Sequence, residues 1–393
     1  MATLAGLSAT LLILLSCVNG RSGIDSATAL PDDLDRDSLR IAVEYSIAYL
    51  QKLPPEQIVG EQPRVFTAGE ILSSLQEFDR LLDDWNCRPC FSREMERRFE
   101  FVPSSTDPVS REVLFTGYYQ PVIDGSLVRT EKFRYPIYAL PADLIIAEQV
   151  SLKPKISSEK VVGRAEGENF VPYYNRREID EESRLEGRGL EIAWVADPIE
   201  VFFLHVQGSG IIRLPDGMQL NVGYAGQNGW PYRSIGRFLI ESGKLTKDEM
   251  SMQRLRRYLR ENPHEQNDIF NFNPSYIFFR VNKAGPLGSL EVPVTAERSL
   301  ATDSRLFPKG ALVLVSTEIP VVSGAGELTG WRAVKRFMLN QDTGGAIRGP
   351  QRADIYFGTD GTAANMAGYM NRPGRMFFPV LRKTNQSFSR TDG

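Results

Sequence analysis

Two aspartates in Asn340–Gly358, NQDTGGAIRGPQRADIYFG, are the residues whose types and spacing best suit chemistry. Ala353–Phe357 alternates with period two, so Asp354 and Tyr356 share one face of a strand and Ile355 and Phe357 the other. Aspartate is depleted inside strands, so a carboxylate at that position needs a reason. Asp342 closes the preceding run, RAVKRFMLNQD, and Gly344–Gly345 permit a tight backbone path beside it. The plainer reading of Asp342 is an Asx-turn within DTGG. A carboxylate beside a tyrosine on a non-core strand face, opposite a glycine turn bearing a second carboxylate, has the ingredients of acid–base cleavage of a sugar linkage.

The same stretch and its continuation, GTDGTAANMAGYMNRPGR, resemble the C-terminal three-aspartate domain of the membrane-bound lytic transglycosylase A family. The third aspartate falls in LATDS, at Asp303. LFTGYYQP, VFFLHVQGSG, YAGQNGWPYRSIGRFLIESG and NPSYIFF carry the resemblance upstream, in order, from about Phe115. It implies a mainly β fold with helices: a double-psi β-barrel catalytic domain, an inserted second β-rich domain, and a groove between them. The expected division is a signal peptide at 1–20, helices and the first part of the barrel at 21–122, an inserted substrate-binding domain at 123–267, and the rest of the barrel at 268–393.

The resemblance also implies an activity. The family cuts the MurNAc–GlcNAc β-1,4 bond of peptidoglycan glycan strands without water and leaves 1,6-anhydro ends. Asp354 is the expected single acid and then base, with Asp342 as a neighbouring charge or orienting group and Asp303 in support. Thr116, Tyr118 and Tyr356 are expected to line the groove from the barrel side. Gln207, Gly208, Ser209, Tyr224, Asn228, Tyr232 and Ser234 are expected to line it from the other. An ordinary aspartate titrates near about 3.9. Apolar surroundings from Ile355, Tyr356 and Phe357, or the like charge of Asp342, are therefore expected to keep Asp354 protonated. Two rivals remain at this point: a two-carboxylate hydrolase that uses Asp354 and Asp342 and adds water, and a non-catalytic peptidoglycan-binding envelope protein.

The chain of 393 residues is long enough for two or three domains with ample core. A net charge of −3 gives no basic surface for nucleic acid. Helices are predicted over Asp37–Leu53, from Thr67 with a Thr67/Glu70 capping box, over Ser92–Phe99 and over Ser234–Ser242, and another from a Thr246/Glu249 capping box to Arg260. Ile199–Val206, IEVFFLHV, reads as a buried apolar strand leading into the QGSG turn, with His205 a satisfied core histidine. Tyr224–Tyr232 is dense in aromatic and amide side chains that suit pyranose faces and hydroxyls, and reads as a saccharide-binding loop. From Pro274 onward, regularly spaced strands beginning with SYIFFRV suggest a barrel.

With only His205 and His264 and three cysteines, no metal, cofactor or nucleophilic triad is expected. Cys87 and Cys90, in CRPC, read as a small disulfide or two inert thiols. Leu4–Val18 reads as a signal-peptide core, although no Lys or Arg precedes it. Cleavage after Gly20 and lipidation at Cys17, in the lipobox-like LLSC, are both open. A periplasmic monomer, free or anchored to the outer membrane, is the expected form.

Overall fold

The computed structural model describes residues 32–107, 111–149, 159–283, 285–359 and 361–383. The expected signal peptide, with Cys17, lies outside them. Two short strands, β1 (Ile58–Gly60) and β2 (Phe66–Thr67), form a ribbon beside three helices, α1 (Arg36–Leu50), α2 (Ala68–Leu81) and α3 (Arg88–Arg98). α1 starts one residue before the expected position, because Asp35 accepts from the Ser38 amide and caps it. Thr67 caps α2, but the Glu70 carboxylate turns to Arg64 and not back to the cap, so only half of the expected box forms. CRPC opens α3, with Cys87 and Cys90 joined in a disulfide across its first turn.

Seven strands make the main sheet: β3 (Phe99–Pro103), β4 (Val113–Tyr118), β14 (Ser299–Ala301), β15 (Leu312–Val322), β16 (Leu328–Asp342), β17 (Arg352–Tyr356) and β18 (Asn371–Leu381). They run in the order β15-β16-β14-β17-β4-β18-β3, and β15 also pairs with β18. Six strands therefore close into a barrel, with β3 attached to the outside of β18. The β14–β16 and β17–β4 pairs are parallel and the other barrel pairs antiparallel. Closure removes the free edges that an open sheet would expose. Phe78 and Phe91 from the helices meet Phe337 of β16 at ring centroid distances of 5.1 and 5.9 Å, so helical cover and barrel share one core.

Ahead of α1, Asp32 and Asp33 are pinned to this barrel. Asp32 and Arg298 form a fully buried ion pair at 2.6 Å, and the same carboxylate accepts from the Phe337 amide. Asp33 pairs with Arg336 and Arg332. Burial pushes its carboxyl up, but hydrogen bonds and charge from the two arginines prevail and hold it at about 2.

A second sheet has six strands: β5 (Val122–Ser126), β6 (Tyr135–Tyr138), β10 (Glu191–Val195), β11 (Ser209–Arg213), β12 (Gln219–Gln227) and β13 (Ile277–Asn282), in the order β13-β12-β11-β5-β10-β6. SYIFFRV, read from sequence as the return to the barrel, thus belongs here, paired with β12. Three further strands, β7 (Ile145–Gln149), β8 (Glu159–Glu166) and β9 (Asn169–Pro172), make a small antiparallel sheet.

Helix α4 (Arg176–Asp180) follows, and then α5 (Pro198–Gln207) replaces the strand expected at IEVFFLHV. Its run is apolar on every side because the helix is buried between the second sheet and another apolar cluster. The signals that set its ends are Asp197 at the cap, Pro198 in the first turn, and Gly208 in a left-handed conformation (φ 77°). α6 (Ile235–Glu241), α7 (Met252–Glu261) and α8 (Gln266–Phe272) complete this part, and α9 (Gly361–Tyr369) lies beside β4 and β15. The Thr246/Glu249 box forms, but it closes a turn; α7 is capped by Ser251.

Candidate active site

Parallel pairing of β4 with β17 sets Asp354 beside Thr116 and Tyr356 beside Tyr118. All four side chains share a face, because each strand alternates with period two. The Thr116 hydroxyl donates to Asp354 Oδ1. Arg352 Nε approaches the same oxygen at 3.5 Å, and Arg352 Nη2 donates to Thr116 Oγ1 at 3.3 Å. Both contacts to Asp354 therefore fall on Oδ1. Among the described residues, none falls on Oδ2. That oxygen is the one available to carry a proton to or from a ligand.

Asp342, at the end of β16, is held differently. Its Oδ1 accepts from the backbone amides of Ser289 and Thr343, each at 2.8 Å, and its Oδ2 from the Tyr118 hydroxyl at 3.0 Å. Burial raises its pKa to about 6, against the pull of those hydrogen bonds. Ala301 of β14 pairs with Asp342 on one side and with Asp354 on the other. Two strand spacings, about 10 Å, thus separate the two backbones. The like charge expected beside Asp354 is one strand further away than that expectation needs. The charged group in contact with Asp354 is the guanidinium of Arg352.

The third aspartate does not face a ligand. Asp303 is fully buried, paired with Arg305 at 2.7 Å, and it accepts from the Gly349 amide at 2.9 Å. Burial raises its pKa, but Arg305 and the Gly349 and Arg305 amides lower it by more. It is a tie that fixes the Gly344–Gly349 turn behind Asp342.

Opposite the barrel end, the C-terminal turn of α5 and the strands β11 and β12 supply a second wall. Gln207, Gly208, Ser209, Tyr224 and Tyr232 line one cavity of about 400 Å³ together with Asp342, Thr343, Gly344 and Gly345. Gln207 also accepts from the Tyr119 amide at 3.0 Å, which ties this wall to the end of β4. Burial raises the pKa of Tyr232, against the pull of the Arg352 charge and a hydrogen bond with Ser234. The Ser234 hydroxyl caps α6 by accepting from the Arg237 amide at 3.2 Å. Asn228 stands apart from the expectation. It is fully buried, donates to the carbonyls of Tyr174 and Pro274, and accepts from the Tyr276 amide. Trp230 likewise donates to the Tyr173 carbonyl at 2.7 Å. An amide that is saturated by backbone partners is a strut, and does not offer itself to a saccharide.

Sequence reasoning passed over Arg352, Ser289 and Arg176, and read as satisfied a core histidine, His205, whose Nε2 has no partner among the described residues. Arg352 was legible in principle, since it lies two residues before Asp354 on the same strand face. Ser289 and Arg176 reach the site only through long-range folding. Among the described residues no cluster of three or more His, Cys, Asp or Glu side chains could hold a metal ion, and no helix is long and apolar enough to cross a membrane.

Comparison with known proteins bears directly on this arrangement of barrel, second sheet and groove. Residues 114–280 match the MltA specific insert domain, and residues 298–378 match the 3D domain. A solved membrane-bound lytic murein transglycosylase from Agrobacterium tumefaciens superposes with a TM-score of 0.74 at 30% identity, covering 88% of this chain and 93% of that one. The chain belongs to the membrane-bound lytic murein transglycosylase A family. The Escherichia coli K12 protein of that name is 33% identical over 269 residues, and the Vibrio cholerae protein 31% over 268. These alignments span 67% of this chain and only 65% and 64% of the two relatives' lengths. E. coli MltA solved with bound chitohexaose is also similar, with a TM-score of 0.64 and 27% identity, covering 88% of this chain and 90% of that one.

Proposed function

We propose that this protein is a lytic transglycosylase that cleaves the MurNAc–GlcNAc β-1,4 bond of peptidoglycan and leaves 1,6-anhydro-MurNAc ends. The observation that carries the reading is the carboxyl oxygen of Asp354 on β17, Oδ2, that has no partner among the described residues. Oδ2 gives its proton to the glycosidic oxygen as the bond to the anomeric carbon breaks through an oxocarbenium-like state. The carboxylate then takes the proton of the muramic 6-hydroxyl, whose oxygen closes on the same anomeric carbon. The nucleophile belongs to the substrate, so attack is intramolecular and no water has to be positioned. Thr116 and Arg352 fix the Oδ1 side, so one oxygen does both proton transfers.

The engagement of Asp342 by three donors weighs against its service as the base of a two-carboxylate hydrolase. Asp342 and Asp303 act as positioning groups for the turn that faces the sugar. In this reading the second sheet is an insertion into the barrel chain and supplies the wall that grips the glycan. The names of the relatives also favour an envelope location, with glycan strands outside the cytoplasm as substrate. Release into the soluble periplasmic fraction by Cys17→Ala would identify Cys17 as a lipid anchor, and a mature N-terminus at Arg21 would exclude it.

The deciding experiment is digestion of murein sacculi by wild type and Asp354→Asn, read by mass spectrometry. Wild type is expected to release anhydro-muropeptides, and the variant to lose at least about a hundred-fold in rate with glycan binding retained. Reducing ends in the wild-type digest would assign a hydrolase in place of a transglycosylase.

A further inference from the structure

A larger cavity adjoins the groove, and the proton chemistry does not use it. It measures about 670 Å³, against about 400 Å³ for the groove cavity, and Arg176 lines both. Small-ligand sites commonly fall between roughly 300 and 1,000 Å³. One wall is the β6–β10 pair. Arg134, Pro136 and Tyr138 alternate onto one face of it, and the register sets Trp194 beside Pro136 and Glu191 beside Tyr138. All five residues line the cavity. Arg134 and Tyr138 stand four residues apart, about 13 Å along the strand, with Pro136 midway.

Most of the charged side chains in this lining are matched within the protein. Arg129 pairs with Glu186 at 2.9 Å and Arg176 with Asp180 at 3.3 Å, and Glu181 accepts from Asn271 at 2.6 Å. Arg134 and Glu191 are different. Among the described residues neither has an ion-pair partner, and Arg134 only lies over the Tyr135 ring at 5.7 Å. Arg134 is exposed and Glu191 half-buried, so both are open to a ligand. Burial raises the pKa of the Tyr138 hydroxyl, and the charges of Glu191, Asp180 and Glu186 add to it against the smaller pull of Arg129. The field at that end is therefore negative. The cavity thus has a cationic end at Arg134, an anionic end at Tyr138 and Glu191, and a half-buried indole beside a proline ring between them.

We propose that this cavity is a second binding site, for a short peptide of about four residues that presents an amine to Glu191 and a carboxylate to Arg134. An extended chain rises about 3.3 Å per residue, so four residues span the distance between the two charges. Trp194 and Pro136 offer the apolar platform over which the middle of such a chain lies. Peptides freed from the wall polymer have this chemistry. For that source the proposal rests on the transglycosylase reading, and it adds recognition of the peptide to that of the glycan.

The test titrates the full chain by calorimetry with the tetrapeptide that an amidase frees from murein sacculi. Two altered forms of the peptide accompany it, one with its amines acetylated and one with its carboxylates amidated. Wild type is expected to bind the free peptide, and each alteration to weaken binding about threefold to fivefold, the worth of a partly exposed ion pair. Glu191→Gln should weaken the free peptide by the same factor and make acetylation indifferent, because both changes remove one interaction. Arg134→Gln should do the same for amidation. Neither side chain is fully buried, so both variants are expected to fold. Chitohexaose, which carries no peptide, is the control ligand, and its affinity should not follow these changes. Wild type that binds chitohexaose but not the free peptide overturns the second site and leaves the transglycosylase reading standing. So do variants that bind all three peptides as wild type does. The expected pattern in an enzyme that leaves reducing ends keeps the site and overturns that reading.

Discussion

The two walls of the groove are built on opposite plans. On the barrel side the functional groups stand on neighbouring strands in a closed sheet. Asp354, Thr116, Tyr356 and Tyr118 occupy register positions that cannot slip without moving every side chain to the other face. On the other side, Gln207, Gly208 and His205 come from the last turn of a helix, and Tyr232 from a loop. That wall is held by hydrogen bonds to backbone carbonyls from Arg176, Asn228 and Trp230. Proton transfer tolerates little misplacement and suits the strands. Recognition of a flexible polymer tolerates more and can use the helix end and loops.

Substitutions should therefore separate the walls by what they damage. The largest expected effect is on the fold, from Arg176→Met. Loss of the buried guanidinium strands two carbonyls and the His205 ring, and should cost about 3 kcal/mol or more in denaturant unfolding. A variant that unfolds like wild type would erase the distinction drawn here.

Asp342→Asn probes the joint between the walls. A folded-state pKa of about 6 stands above the ordinary 3.8, so the folded protein binds more protons than the unfolded chain between those values. Stability contributed by this group is fully present below about pH 4 and is lost as pH rises through about 6. The variant should lack that slope and be more stable than wild type at pH 7. The gain should be at most about 3 kcal/mol, reduced by the water that reaches the groove. Urea melts of both proteins at pH 4, 5, 6 and 7 measure the difference.

Thr116→Val should do the reverse of Arg176→Met. It removes the hydroxyl from Asp354 Oδ1 while keeping the side-chain volume, so turnover should fall about tenfold with unfolding changed little. Smallest is Tyr224→Ala. Tyr224 is 49% exposed, so the fold should be untouched, and glycan affinity should drop about fivefold if the ring is a stacking platform. Falling thermal stability with unchanged affinity would make this ring a structural one.

On the barrel wall the strand pattern was legible in the sequence, whereas on the other wall residues such as Gln207, Gly208, Ser209, Tyr224 and Tyr232 were legible and the helix that leads into them was not. Period-two alternation in RADIYF placed Asp354 and Tyr356 on one face, because side-chain direction in a strand follows from the pattern alone. Their pairing with Thr116 and Tyr118, more than two hundred residues earlier, is a matter of topology that spacing cannot reveal. IEVFFLHV misled because a helix buried on all sides loses the amphipathic signal, and the flanking Asp197, Pro198 and Gly208 were the better guide. Asn228 and Trp230 misled in the opposite way. Amides and indoles that suit a sugar suit a carbonyl equally well, and composition does not say which partner the fold provides.

The arginine-held segment at Asp32 and Asp33 decides where mechanical load enters the molecule. Force applied from the N-terminal side of Asp32 would be met first by Arg298, Arg332 and Arg336, which all belong to the barrel side. Tension along that route is taken up in the closed barrel before it can reach the second sheet. A pull from the N-terminal side would thus load the barrel and spare the second sheet.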